Sequence, residues 1–284
     1  MARVLIAGCG YVGEAAADLF HGQKWEVEGW TGSAESAARL ANRPYPVHAI
    51  DITDRAAVAA VSGEFDVVVQ CVSTKGGDVE DYRGLYLGGA RNLLQRFRNA
   101  RFLFTSSTSV YAQMDGSIVD ERSTTEPIHE KGKILCETEN LVLAAGGIVA
   151  RLGGIHGPGR SFFLSKFLEG TAAIDPTDRR LINQVHRDDI VSALLLLVEN
   201  TSANRGEIFN VVGDHPTSVS EAYPWLSVRL GKPLPSPAER ALSPKRGQSN
   251  KRVSNAKLRA LGWEPRYPSF EAAMTKSILP SFGF

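Results

Sequence analysis

The chain has little cysteine: Cys9, Cys71 and Cys136 are the three thiols in 284 residues, an odd number without paired metal-type spacing. They can supply neither a disulfide framework nor a zinc ribbon, and unpaired thiols suit a reducing compartment, so a cytoplasmic location is expected. Charge of one sign is lacking too. Lys and Arg total 32 against 31 for Asp and Glu, a formal net charge of +1, without the basic surplus of a nucleic-acid or anionic-membrane binder. Long apolar runs are missing as well. Ala193-Leu194-Leu195-Leu196-Leu197-Val198 is the longest, far short of the roughly 20 residues that cross a bilayer, and reads as a buried helix face. Met1 leads almost directly into an apolar strand, so no secretory leader is expected. There is no internal repeat and no low-complexity segment.

What is present is an alternation of short apolar strands and helices. Val4-Leu5-Ile6-Ala7 is too short and β-branched for a core helix. It is followed by Gly8-x-Gly10-x-x-Gly13 and then by the helical Glu14 to Phe20. Strand, glycine turn and helix start form a place for a pyrophosphate: Gly8 permits the tight turn, Gly10 admits phosphate to backbone N–H groups, and Gly13 allows close helix–strand packing. Tyr11 and Val12 offer their backbone in the same turn, where the positive end of the helix faces an anion.

Further strands are expected at Trp25–Trp30, Pro44–Ile50, Phe65–Cys71, Arg101–Thr105, Gly147–Leu152 and Glu207–Val212. Helices are expected at 33–41, 55–61 (capped by Asp54), 79–98, 130–145 and 188–200. Gly231 to Pro237 is too proline-rich for regular structure. Such alternation implies right-handed βαβ crossovers: an α/β, Rossmann-type doubly wound parallel sheet with a small C-terminal substrate lobe. Residues 1–155 and 182–213 would form the dinucleotide-binding domain, and 156–181 with 214–284 the lobe.

These pieces resemble the extended NAD-dependent epimerase/dehydratase branch of the short-chain dehydrogenase/reductases. The resemblance rests on the glycine loop, Asp51-Ile52-Thr53-Asp54, Ser106-Ser107-Thr108-Ser109-Val110-Tyr111, Arg151 to Gly159, Val185-His186-Arg187-Asp188-Asp189, and Leu261-Gly262-Trp263-Glu264-Pro265. It implies a nicotinamide cofactor, with Asp51 and Ile52 flanking the adenine, and a small-molecule substrate such as a nucleotide sugar. It also implies a dimer through the helices at 79–98 and 130–145. The chain departs from the pattern in two places. Its loop is G-x-G-x-x-G rather than G-x-x-G-x-x-G, and no tyrosine stands between Ala112 and Val142, where the family has Tyr-x-x-x-Lys. It is thus similar to the atypical, YeeZ-like bacterial members.

The family's chemistry needs a phenol, a lysine that lowers its pKa, and a hydroxyl that orients a carbonyl. Ser107 takes the hydroxyl position and Lys133 the lysine position, where it contacts the nicotinamide ribose or pairs with Glu137. His129 occupies the tyrosine position, as a proton shuttle or a surface histidine. Tyr86 replaces a family asparagine beside the site, and Tyr111 reads as packing. Cys71, at a strand end, either approaches the cofactor or is a plain buried thiol. The end of the second strand, Thr31-Gly32-Ser33, has no carboxylate for a ribose 2′-OH, and Thr31 and Ser33 can donate to a 2′-phosphate; NADP is favoured over NAD. Lys245, Arg246, Lys251 and Arg252 either hold an anionic substrate or form a solvated loop. Two functions remain open: an NAD(P)-dependent oxidoreductase, epimerase or dehydratase with an atypical active site, or a non-catalytic NAD(P)-binding or redox-sensing protein.

Overall fold

The computed structural model describes residues 1–74, 76–175, 178–200, 204–237 and 249–284. Its centre is a seven-stranded sheet built from β1 (Arg3–Ala7), β2 (Glu26–Thr31), β3 (Val47–Ala49), β4 (Val67–Gln70), β5 (Arg101–Ser107), β7 (Ile148–Leu152) and β10 (Ile208–Val211). The order is β10-β7-β5-β4-β1-β2-β3, and the strands run parallel. From β1 the chain winds out through β2 to β3, then returns to place β4 on the other side of β1. Strand order therefore reverses at β1 and β4, the place where α/β sheets bind ligands beyond their carboxyl ends. Val4 to Ala7 and Val67 to Val69 are fully buried, as strands covered on both faces require.

The helices follow from local sequence. Asp54 Oδ1 accepts from the N–H groups of Ala56 and Ala57 at 2.9 and 3.0 Å, so α3 (Arg55–Ala60) starts at the expected cap. The strand expected over Pro44–Ile50 shrinks to β3, since Pro44 and Pro46 have no N–H for a ladder. The helix expected over 79–98 is present as α4 (Val79–Tyr82), a π-helical turn (Arg83–Gly88) and α5 (Gly89–Arg96). The π-turn misaligns carbonyls, and the buried Gln70 Nε2 donates to Leu85 O and Tyr86 O, each at 3.2 Å. Helix α6 (Glu130–Ala144) covers β5 and lies close to its expected bounds.

Two compact units emerge. The first comprises residues 1–110, 125–151 and 190–209 and holds the glycine loop and most of the sheet. The second comprises 111–124, 152–189 and 210–284. It contains two small parallel pairs that the sequence did not announce, β8 (Gly154–His156) with β9 (Gln184–His186), and β6 (Ile118–Val119) with β11 (Arg252–Val253). Its own core gathers Phe163, Leu164, Tyr223, Leu226, Phe270 and Met274. Phe163 meets Tyr223 and Phe270 edge-on at 5.4 and 5.6 Å. The helix Val219–Leu230 ends on the left-handed Gly231, and 231–237 follow as a loop, as expected. No described helix is long and apolar enough to cross a membrane.

Candidate functional site

The glycine loop leaves β1 at the point of order reversal and enters α1 (Tyr11–Gly22). Each glycine has a distinct steric reason. Gly8 sits at φ +104°, and a Cβ there would lie 2.6 Å from Val72 N and 2.7 Å from Cys71 C. At Gly13 a Cβ would lie 2.1 Å from Gly8 O, so helix and turn touch backbone to backbone. At Gly10 a Cβ would meet nothing within 4 Å: the position faces open space. Gly10 is also the N-cap of α1, and no side chain caps the helix. An open, uncapped helix start beside a closely packed turn is the donor set that a pyrophosphate needs, so the loop fits a dinucleotide. The first turn carries one acid, Glu14, which pairs with Arg43; Arg43 also holds Asp18 at 3.0 Å. This arginine, invisible to motif reading, offsets negative charge beside the cradle.

Around the loop, the expected contacts have specific local roles. Thr31 is buried, and its hydroxyl donates to Ser33 O at 3.1 Å. Ser33 Oγ donates to Ser36 Oγ and accepts from Ser36 N–H, capping α2 (Ala34–Arg39). Asp51 Oδ1 accepts from the Thr53 N–H and hydroxyl at 2.9 and 2.8 Å, which fixes the turn after β3. Ile52 is buried against Gly89, where a Cβ would stand 2.4 Å from its Cδ1. Cys71 Sγ donates to Gly8 O at 3.5 Å, and burial pushes its thiol up. Cys9 packs against β2, 3.0 Å from a Cβ on Gly29, and burial pushes it up to about 11. Both sulfurs are thiols at neutral pH and hold the loop in place.

Near the carboxyl end of β5, Ser107 is half-buried, and its Oγ accepts from Ser109 N–H at 3.1 Å. The hydroxyl proton is left for another acceptor. His129 is the exposed N-cap of α6, its carbonyl accepting from Gly132 and Lys133 N–H. Lys133 is exposed and pairs with Glu130 at 2.6 Å, not with Glu137, which Arg83 holds at 2.8 Å. The lysine turned inward is Lys131, absent from the motif reading. Its ammonium donates to Gly77 O and lies 5.0 Å from the centre of the Tyr82 ring. Tyr82 packs 4.8 Å from Tyr86, which reaches Phe104 of β5 at 6.1 Å, so Tyr86 is part of the packing between the π-turn and the sheet.

Ser106, next to the candidate Ser107, belongs to a buried network. It donates to Glu139 Oε1 at 2.6 Å, and Arg151 forks onto Glu139 with contacts of 3.0 and 2.6 Å. Glu139 is 2% and Arg151 3% exposed, so the pair locks α6 to β5 and β7. In the second unit, Tyr111 is buried with its hydroxyl donating to Asn210 Oδ1 at 2.9 Å. Lys251 is buried too, donating to Tyr111 O at 2.9 Å, and burial pushes its ammonium down to about 8. Arg252 is exposed, and Lys245 and Arg246 lie outside the described residues.

Comparison with known proteins agrees with this architecture. Residues 4–133 match the NAD dependent epimerase/dehydratase family. Protein YeeZ of Escherichia coli (strain K12) is 28% identical, over 94% of this chain and 97% of its own. A structure named as an NAD-dependent epimerase/dehydratase, from Methylobacillus flagellatus, is 28% identical with a TM-score of 0.81, covering 100% of this chain and 99% of that one. The Thermus thermophilus UDP-glucose 4-epimerase, solved in complex with NAD, shares the fold at a TM-score of 0.81 and 19% identity, over 99% of each chain. Residues 4–133 thus match that family's model, the chain is similar to Protein YeeZ over nearly its whole length, and no tyrosine stands between Ala112 and Val142.

Proposed function

We propose that this protein binds a nicotinamide dinucleotide in its first unit and acts on a nucleotide sugar or a similar carbonyl or alcohol. The observation that carries the reading is the cradle at Gly10, open where a Cβ would go and flanked by the close-packed Gly8 and Gly13. Gly8, Gly10 and Gly13, with the Tyr11 and Val12 backbone, would hold the pyrophosphate. The Asp51–Ile52 turn would flank the adenine, and Thr31 and Ser33 lie at the end of β2 where a ribose is read. A bound nicotinamide supplies hydride transfer at carbon. Cys71 keeps the floor of the loop in place. Ser107, whose Oγ accepts from Ser109 N–H, would donate its proton to a substrate oxygen. Lys133 would reach the nicotinamide ribose by exchanging Glu130 for it, and His129 is the titratable group one turn before it. Residues 156–181 and 214–284 are the proposed substrate lobe.

NADP remains the proposed cofactor, on a narrower basis. The hydroxyl protons of Thr31 and Ser33 are committed to neighbours, so the preference rests on the lack of a repelling carboxylate at Thr31-Gly32-Ser33. Titrating NADPH and NADH by fluorescence checks this, with NADPH expected to bind more tightly; tighter NADH binding contradicts it. Turnover is tested with a panel of sugar nucleotides and carbonyl compounds. Hydride should pass between bound cofactor and one of them, and Ser107→Ala should lower kcat by about a hundredfold.

A second reading has its own support. His129 and Lys133 are both exposed, and Lys133 is held by Glu130, the arrangement of a scaffold whose proton relay has gone. Tight cofactor binding without turnover across the panel would favour a cofactor-binding or redox-sensing protein.

A further inference from the structure

At the amino ends of the strands, away from the glycine loop, the first unit carries two adjoining depressions. The larger is about 580 Å³ and lies between the end of α5 and the starts of β5 and β7. Its apolar floor is made by Leu94, Phe102 and Ile148, and Arg98, Arg101 and Arg205 stand around it. Arg98 and Asn99 also line the second depression, which adds Arg55 and Arg96 and a single acid, Glu64. Five arginines thus meet one carboxylate, in a protein whose total charge is +1. Glu64 is already bound to Arg96 at 3.0 Å. Arg55, Arg98 and Arg205 form no ion pair among the described residues; Arg98 donates only to its neighbour Gln95 O. The fold uses two of the five: Arg96 ties the loop after α3 through the carbonyls of Val61 and Gly63, and Arg101 donates to Asp66 O and Val198 O.

Guanidinium groups left without carboxylates are forks for phosphate oxygens, and a concave apolar floor holds a flat or aliphatic body beside them. The volume suits a small molecule, and the site is a confined hollow, not the extended stripe that a nucleic-acid backbone tracks. We propose that this hollow binds a small polyphosphate, a nucleoside di- or triphosphate, at a site separate from the dinucleotide loop. Arg98 and Arg205 grip the phosphates, and Leu94, Phe102 and Ile148 receive the nucleoside. Ser107, at the far end of β5, is about 20 Å away from Arg101, at the ~3.3 Å rise of a parallel strand, so the ligand is not the substrate of the proposed reaction.

ATP and inorganic tripolyphosphate serve as probes, measured by calorimetry on the full chain with three variants: Arg98→Glu, Arg205→Glu and Gly10→Asp. ATP affinity should fall by about tenfold or more in each arginine variant and stay unchanged in Gly10→Asp. NADPH affinity should show the reverse pattern, which separates this site from the glycine loop. Both arginines are exposed, so the charge reversals leave the fold intact, as circular dichroism should verify. Three results would overturn the proposal: no binding of either probe at millimolar concentration, ATP binding lost in Gly10→Asp and kept in the arginine variants, or a single-stranded RNA that binds these arginines without competition from ATP.

Discussion

At the residue scale, the most deeply buried ion pair described in the first unit is one that no motif announces. Glu139 and Arg151 are nearly dry, and each satisfies the other in a two-pronged contact that Ser106 completes. Removing one partner leaves a charge buried without its counterion, so Arg151→Met should cost about 3–5 kcal/mol in urea unfolding. Lys133→Met should leave the unfolding midpoint where it is, because its partner Glu130 is a solvated surface acid. The contrast explains what sequence reading found and missed here. Arg151 was legible as part of a strand-and-loop signature, but its partner was not, since the chain between them, a separation of 12 positions, crosses from helix to strand. Lys133 stands out by its count from Glu137 and from the expected tyrosine position. Spacing alone could not say that Lys131, two residues earlier, is the one turned towards Tyr82. Side-chain direction on a helix depends on which face the neighbours bury, and that is decided by Gly132, Leu135 and Glu139 packing inwards.

At the element scale, the βα unit that opens the chain was legible in order and type: β1 and the glycine turn fall where expected, and α1 runs from Tyr11 to Gly22 around the expected Glu14 to Phe20. Steric demand is uneven across its three glycines, and this yields a prediction. Gly13→Ala drives a methyl to 2.1 Å from Gly8 O and should lower Tm by several degrees or abolish soluble expression. Gly10→Ala meets no atom and should fold with an unchanged Tm. The π-turn within 79–96 was not legible, because its residues read as ordinary helix. What stabilises the turn is Gln70, a residue from β4 that reaches the carbonyls of Leu85 and Tyr86. The short pairs β8–β9 and β6–β11 were missed for a similar reason. Two- and three-residue strands have no periodicity of their own and form only because distant segments meet.

At the scale of the whole molecule, the pH response follows from polar groups buried in the second unit. His186 is fully buried, its ring centre 3.9 Å from that of Tyr267 and tilted to it, with Nε2 against Ser277 Oγ at 2.9 Å; His156 packs against it at 5.9 Å. Burial pushes His156 down to about 3 and His186 to about 4, although Asp188 beside His186 acts in the opposite direction. The unfolded chain therefore takes up these protons near pH 6.5 and the folded chain resists them. Stability falls as the pH drops below 6.5, by about 2 kcal/mol per histidine at pH 5. Asp189 works the other way. Burial raises it to about 6 despite two backbone N–H donors, so it gains a proton in the folded state and returns roughly 1 kcal/mol over that range. Urea midpoints between pH 7 and 5 should therefore shift downward, and His156→Phe should flatten the shift. A flat profile in the parent protein would contradict this account.

The family resemblance and the parallel sheet were legible because strand alternation and the glycine spacing are local patterns. The chemistry is less so, because the resemblance leads one to expect a tyrosine between Ala112 and Val142 and none stands there. The open position at Gly10 is the proposed seat of a pyrophosphate. The direct measurement is an NADPH titration of the parent protein beside Gly10→Asp, which places a carboxylate in the cradle at a position where the added Cβ meets no atom within 4 Å. The account predicts saturable binding to the parent and a loss of about a hundredfold in the variant at an unchanged Tm. Equal affinities for NADPH in the two proteins would contradict it.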